Sequence, residues 1–246
     1  MMHLEVMGEY WDGLVDDVIE HYDAAGIDKG VILATWMASG CSNDITLAAY
    51  ERYPDRFIPF GHVRPVDNWR DELERIGRDL GWVGLKLHQR ELWYAGGNAL
   101  KIVREIATLA QQVGIRVIKV HLHEFETIDA LSREFSDLTW ILPHMGSYMS
   151  PNAKLWDYCD LARHRENVYL DTSVTDQYYD LDLAVEWAGA DKVTFASDGF
   201  MYNPSVEKAK IDALRLPTPH RKRRLTDSEY DKIMGGTMAK LLGILS

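Results

Sequence analysis

Cysteine is scarce. Cys41 and Cys159 are the two present, too few for a disulfide framework and without the spacing of a metal knuckle. Both read as ordinary thiols of a reducing compartment. Long apolar runs are also missing: no stretch reaches the roughly 18 uncharged residues of a membrane span. The start lacks the basic-then-apolar pattern of a secretion leader, so a cytoplasmic protein is expected. Positive charge is in deficit, with 27 Lys and Arg against 38 Asp and Glu and a net charge of -11. A nucleic-acid surface needs clustered basic residues in excess. The run His220-Arg-Lys-Arg-Arg224 reads as a solvated connection instead. The expected partners are a small-molecule substrate and at most a second copy of the chain as a homodimer, with neither nucleic acid nor membrane. Low-complexity stretches and linkers are absent too, which leaves one domain over residues 1–246.

What is present is an alternation of short apolar segments and helical stretches. Strands are expected at 30–35, 57–63, 82–88, 115–121, 138–144, 167–173 and 192–198. Their starts lie about 23 to 33 residues apart, the length of a β-α-β step. Runs such as Val31-Ile-Leu-Ala34 and Val168-Tyr-Leu170 suit strands buried on both faces. Between them, Leu14, Val15, Val18, Ile19 and Tyr22 form a helical stripe stopped at Gly26, and a second stripe from Leu100 to Ala110 stops at Gly114. Parallel strands with helical crossovers, in a chain of 246 residues, match a single (β/α)8 TIM barrel. Seven strands are clear. An eighth would have to come from residues 1–7, so the first strand is expected to be short or incomplete.

The chemistry-bearing residues gather at the ends of these strands. Lys86 and His88 are two apart at the end of one; Lys119, His121 and His123 run along the next. His144 closes another in Leu142-Pro-His-Met-Gly146, and Asp198 closes the last. Side chains two apart share a face, and the C-terminal rim of a barrel is where chemistry is placed. Imidazoles and a carboxylate suit Zn2+ and related divalent ions. Lys86 fits a clamp for an anionic substrate, with His88 beside it. His62 and Arg64, in Gly61-His-Val-Arg-Pro65, share a strand face near the rim, and Arg64 is a second candidate for substrate binding.

Taken in order, several pieces resemble the amidohydrolase superfamily, in particular its amidohydrolase-related branch. They are Ala25-Gly-Ile-Asp-Lys29, Gly84-Leu-Lys-Leu-His88, Leu142-Pro-His-Met-Gly146, Asn167-Val-Tyr-Leu-Asp-Thr-Ser173, Phe195-Ala-Ser-Asp198 and Ile233-Met-Gly-Gly236. The resemblance implies a distorted (β/α)8 barrel with a divalent metal at its C-terminal rim. It implies His121 as the metal-binding histidine of the fifth strand, with His123 in competition because that strand is one residue longer than usual. His144 would be ligand or acid/base, and Asp198 would bind metal or move the proton. The first strand of such proteins carries a His-x-His pair; here Met1-Met-His-Leu4 supplies His3 as the second histidine and Met1 where the first would be. Metal occupancy is therefore expected to be weak or nil. Thr237 and Ala196 stand where Asn and Gly are usual.

The resemblance implies an enzyme acting on a small carboxylate-bearing organic substrate. Hydrolysis is the first expectation: water activated by the metal or by Asp198 attacks a carbonyl polarised by His144 and the metal. Nonoxidative decarboxylation, a carbon–carbon lyase reaction, uses the same residues. A noncatalytic or metal-free barrel is the alternative of a different kind.

Overall fold

The computed structural model describes residues 2–4, 11–34, 43–65, 68–94, 98–147, 154–199, 201–217 and 224–244. Met1, the side chain of His3, Cys41 and Tyr148 lie outside the described residues. Eight strands are present: β1 (Met2–Leu4), β2 (Gly30–Ala34), β3 (Phe57–His62), β4 (Gly84–His88), β5 (Val117–His121), β6 (Thr139–Leu142), β7 (Val168–Asp171) and β8 (Val193–Thr194). All neighbours pair in parallel and in sequence order. Helices return the chain between them: α1 (Trp11–Ala25), α2 (Asn43–Arg52), α3 (Trp69–Glu74), α4 (Gln89–Tyr94), α5 (Ala99–Val113), α6 (Phe125–Glu134), the single turn α7 (His144–Ser147), α8 (Leu155–His164) and α9 (Tyr178–Ala188). After β8 come α10 (Pro204–Ala213), α11 (Asp227–Asp231) and α12 (Thr237–Leu242). The fold is a distorted TIM barrel. The first strand is as short as expected, only three residues long.

The helix ends follow from local chemistry. Gly26 and Gly114, at φ +67° and +93°, adopt the left-handed backbone that ends α1 and α5 and that a Cβ would penalise. At its other end α5 is capped by the Asn98 side chain, which accepts a hydrogen bond from the Lys101 N–H at 2.9 Å. Tyr22 of α1 buries its ring edge-on against Phe57 of β3, with centroids 5.9 Å apart. Cys159 is a buried free thiol on α8, its pKa pushed up to about 12 by burial.

Alternation along the strands divides the core in two. Leu85, Leu87, Ile118, Val120, Trp140, Leu142, Val168 and Leu170 point outward into one apolar layer with Val103, Ile106 and Ala110 of α5. Val31, Leu33, Phe60, Val117, Ile141 and Ala196 fill the lumen, with Leu242 of α12 packed against them. Higher up the same inward positions the residues turn polar: His62, Lys86, Lys119 and Asp171 are all buried. The strands β6, β7 and β8 end earlier than the sequence suggests. Pro143 has no N–H to extend β6. Beyond Thr194 the Phe195 N–H donates to the Ile233 carbonyl and the Ala196 N–H to Thr172 Oγ1, so β8 leaves the ladder.

Gly84 makes the lumen possible, because a Cβ there would lie 2.2 Å from the Phe60 ring. Gly84→Ala is expected to destabilise the fold by about 1–3 kcal/mol, the usual cost of overpacking. The shift of the urea midpoint measures it; an unchanged midpoint would show that Phe60 has room to move.

Candidate active site

Register brings the polar residues together. His62, Lys86 and Lys119 are lateral partners on β3, β4 and β5, and His88 pairs with His121 one step higher. Paired residues of parallel strands point to the same face, so these side chains enter the lumen in two rungs. In the upper rung the His88 and His121 rings stand edge-to-face with centroids 4.6 Å apart, and His121 meets His144 in the same way at 4.8 Å. His123, just past β5, turns back so that its Nε2 lies 3.0 Å from His121 Nε2. The two histidines that compete by spacing are thus brought together, their rings tilted by 50° with centroids 5.1 Å apart. Gln89 Nε2 reaches the His123 ring at 3.2 Å, and Gln89 Oε1 accepts its backbone N–H.

His144 begins a turn of left-handed backbone rather than ending a strand. His144, Met145 and Gly146 have φ of +56°, +51° and +84°. At Gly146 a Cβ would lie 2.2 Å from the Tyr158 ring. Among the described residues the other non-glycine positive-φ positions are Val174 (+57°) and Asp198 (+59°). All four therefore fall just after β6, β7 and β8. Each costs on the order of 1–3 kcal/mol and persists only where surrounding contacts fix it. At Val174 those contacts are visible: Glu207 Oε2 of α10 accepts the Val174 N–H at 3.1 Å and pairs with Lys210 at 2.7 Å, while Lys210 donates to the Thr175 carbonyl.

Beneath His144 lies an ion pair with almost no solvent contact. Lys119 Nζ is 2.6 Å from Asp171 Oδ2, with side-chain exposures of 0% and 1%. The approach is close, but its angles fall outside hydrogen-bond geometry, so the attraction is mainly that of opposite charges in a dry interior. Asp171 Oδ1 accepts the backbone N–H of His144 at 3.1 Å, that of Ser173 at 3.0 Å and the Ser173 hydroxyl at 2.5 Å. Burial pushes the Asp171 carboxyl up, but Lys119 and these donors outweigh it and hold the carboxyl well below the ordinary range. The imidazoles behave oppositely. Burial, aided by Lys86, keeps His121 far below its usual pKa. Burial also lowers His123. It lowers His144 too, against the opposing pull of Asp171 and Asp198. All three rings are therefore neutral at neutral pH, with lone pairs available.

The remaining candidates are placed as follows. Lys86 is buried below the imidazole row and acts electrostatically on both His121 and His144. Asp198 does not close β8 as the sequence suggests; it lies four residues beyond Thr194, in left-handed backbone, and acts on His144. Arg64 lines a cleft of about 410 Å³ with His62, Asn43, Glu72 and Arg75, and His88, His121, His123 and His144 are not in its lining. A cavity of about 570 Å³ at the foot of the strands has no histidine in its lining. The imidazole row, not the cavity volume, marks the site. Asp171 and Ser173, which contact His144, are the site residues missing from the sequence-based set. Their two-residue spacing at a strand end was the available signal.

A family model described as Amidohydrolase matches residues 13–244. The chain belongs to the amidohydrolase family. No curated protein matches it by sequence. Among solved structures this amidohydrolase-family chain is similar to 2,6-dihydroxybenzoate decarboxylase from Rhizobium, with 18% identity, coverage of 99% of this chain and 94% of that one, and a TM-score of 0.68. It is also similar to a dihydroxybenzoic acid decarboxylase from a Polaromonas species with bound manganese and 2-nitroresorcinol (17%, 98% and 91%, 0.66). A third is an uncharacterised TIM-barrel protein from Bordetella bronchiseptica (20%, 95% and 84%, 0.70). Identities this low show a shared fold.

Two outcomes follow from the site's electrostatics. Lys119→Met leaves the Asp171 charge buried and unpaired, which should cost about 3–5 kcal/mol. Adding Asp171→Asn, which removes the charge but keeps an Oδ1 acceptor for the His144 and Ser173 donors, should recover much of it; equal losses in the single and double variants would mean that packing, not charge, is at stake. The second concerns pH. Because His121, His123 and His144 are depressed in the folded state, the unfolded chain binds more protons below the ordinary imidazole value of about 6.5. Stability should therefore fall as pH drops through that value and stay level, on this account, above it. The Asp171 contribution is retained down to the ordinary carboxyl range near 3.9 and lost only in stronger acid. Urea midpoints between pH 8 and 5 test this, and a midpoint that rises toward pH 5 contradicts it.

Proposed function

We propose that this chain is a nonoxidative carboxy-lyase that removes the carboxylate of a small hydroxylated aromatic acid as CO2 and leaves a proton in its place. The observation that carries the proposal is the burial of Lys86 beneath the neutral imidazoles of His121 and His144. A dry ammonium attracts a carboxylate far more strongly than one in water does. A carboxylate held against a group that can move a proton is what decarboxylation needs. The two decarboxylases of similar fold, which act on dihydroxybenzoates by name, support the substrate class.

In the proposed reaction Lys86 and His88 hold the acid. His144 takes a proton from solvent at Nε2 and delivers it to the carbon bearing the carboxylate, with Asp198 beside it to stabilise the imidazolium. The carbon–carbon bond then breaks, its electron pair returns to the ring, and CO2 leaves. The balance is one proton consumed and one CO2 released per turnover. A depressed imidazole pKa suits this step, because the imidazolium, once formed, is a strong acid.

The donor set fits a divalent cation through His121 and His123, whose neutral Nε2 atoms lie 3.0 Å apart. Among the described residues no group of three His, Cys, Asp or Glu side chains converges on one point. His3 and Asp198 are the residues proposed to complete the set. Three imidazoles with a carboxylate suit Zn2+, and manganese, as in the Polaromonas neighbour, is the other ion to test. Such an ion, when bound, would polarise a substrate oxygen.

Hydrolysis is the rival within the family, with water activated by Asp198 or the metal attacking a carbonyl that His144 polarises, instead of His144 protonating carbon. Product analysis separates the two. Purified protein with added Zn2+ or Mn2+, given dihydroxybenzoates in D2O, should release CO2 and place one deuterium on the vacated ring carbon. Cleavage of esters, lactones or amides with no CO2 from any hydroxybenzoate overturns the reading. Lys86→Met should raise KM for the acid about tenfold to a hundredfold, the worth of a charged hydrogen bond of roughly 1.5–3 kcal/mol. An unchanged KM would remove Lys86 from the binding site.

A further inference from the structure

The contacts around His144 determine which of its two nitrogens carries hydrogen. Asp171 is ionised beside Lys119, so its Oδ1 only accepts, and it takes the Ser173 hydroxyl hydrogen. With that hydrogen committed, Ser173 Oγ can only accept from His144 Nδ1, 2.9 Å away. The Ser173 carbonyl, 3.2 Å from the same nitrogen, accepts as well. Two acceptors and no donor face Nδ1, so Nδ1 carries the hydrogen and Nε2 keeps the lone pair. A carboxylate acting through a hydroxyl on an imidazole does the work that a direct carboxylate–histidine bond does elsewhere.

We propose that Asp171 and Ser173 are positioning residues that lock His144 into its Nδ1-protonated tautomer and so present Nε2 to the substrate, with Lys119 as the counter-ion that keeps Asp171 an acceptor. The same carboxylate takes the His144 backbone N–H, so one group fixes both the turn and the ring. The strained Val174 backbone, held by Glu207, keeps Ser173 in place from the other side. The lone pair at Nε2 is what lets His144 collect a proton from solvent before delivering it. In the opposite tautomer that position is already filled and the receiving nitrogen faces Ser173.

The inference rests on the role proposed for His144, but its first test does not depend on activity. Long-range 1H–15N correlation spectra of protein labelled with 15N-histidine, assigned through a His144→Gln sample, should show His144 with a protonated Nδ1 and an unprotonated Nε2 at neutral pH. Ser173→Ala removes the hydroxyl while leaving the Lys119–Asp171 pair intact, and should give a mixture of tautomers. With a turned-over acid it should lower kcat about tenfold to a hundredfold, a modest part of what acid–base catalysis contributes, with KM unchanged; Ser173→Thr should restore both spectrum and kcat. An Nε2-protonated His144 in the parent protein overturns the proposal. So does a Ser173→Ala variant with unaltered spectrum and kcat. The expected tautomer in a protein that releases no CO2 would leave this inference standing and remove only the carboxy-lyase reading.

Discussion

The structure depends on one ion pair placed where barrels usually carry only hydrocarbon. Lys119 and Asp171 meet in the lumen from β5 and β7, two strands apart in the ladder, with neither side chain reaching water. Removing either charge alone is expensive, while a fully apolar replacement of both is often neutral or stabilising. The pair therefore makes little sense as a source of stability. It makes sense as a way to keep one carboxylate ionised under the rim. That carboxylate gathers the His144 and Ser173 backbone and the Ser173 hydroxyl, so the geometry of the rim begins there.

Strain accompanies this arrangement. The left-handed residues after β6, β7 and β8 are two of the functional candidates, His144 and Asp198, and two of their supports, Met145 and Val174. A β-branched valine at positive φ is a genuine outlier, and it survives because Glu207 and Lys210 of α10 hold both its N–H and the next carbonyl. Met145, by contrast, is fully buried in the outer apolar layer. Core burial and a few charged contacts thus hold the backbone in unfavourable conformations, and side chains that normal strand ends would splay apart converge instead.

The fold was legible because the strands are continuous apolar runs and α1 and α5 end at glycines, signals that depend on neighbours in sequence alone. Even the short β1 could be anticipated. The imidazole row was legible from parity: Lys86 with His88 and Lys119 with His121 share a face by spacing. What parity could not supply was depth. Lys119 read as part of the histidine strand, and only the three-dimensional pairing with Asp171 gives it a role. Asp171 and Ser173 stood within a segment that carried family resemblance, and a carboxylate followed by serine has no chemistry until a histidine from another strand lies 2.9 Å from the hydroxyl. Arg64 went the other way. It shares parity with His62, but it lies two residues past β3 and lines the neighbouring cleft rather than the imidazole row.

The central claim is that the buried cation and the neutral imidazoles form one site for an acid group. A crystal structure with a nitro-substituted dihydroxybenzene, whose flat nitro group imitates a carboxylate, tests it most directly. The account predicts a nitro oxygen within about 3.2 Å of Lys86 Nζ, with His144 Nε2 directed at the ring carbon that carries it. The mimic bound in the Arg64 cleft or at the foot of the barrel, with Lys86 out of reach, would contradict the account.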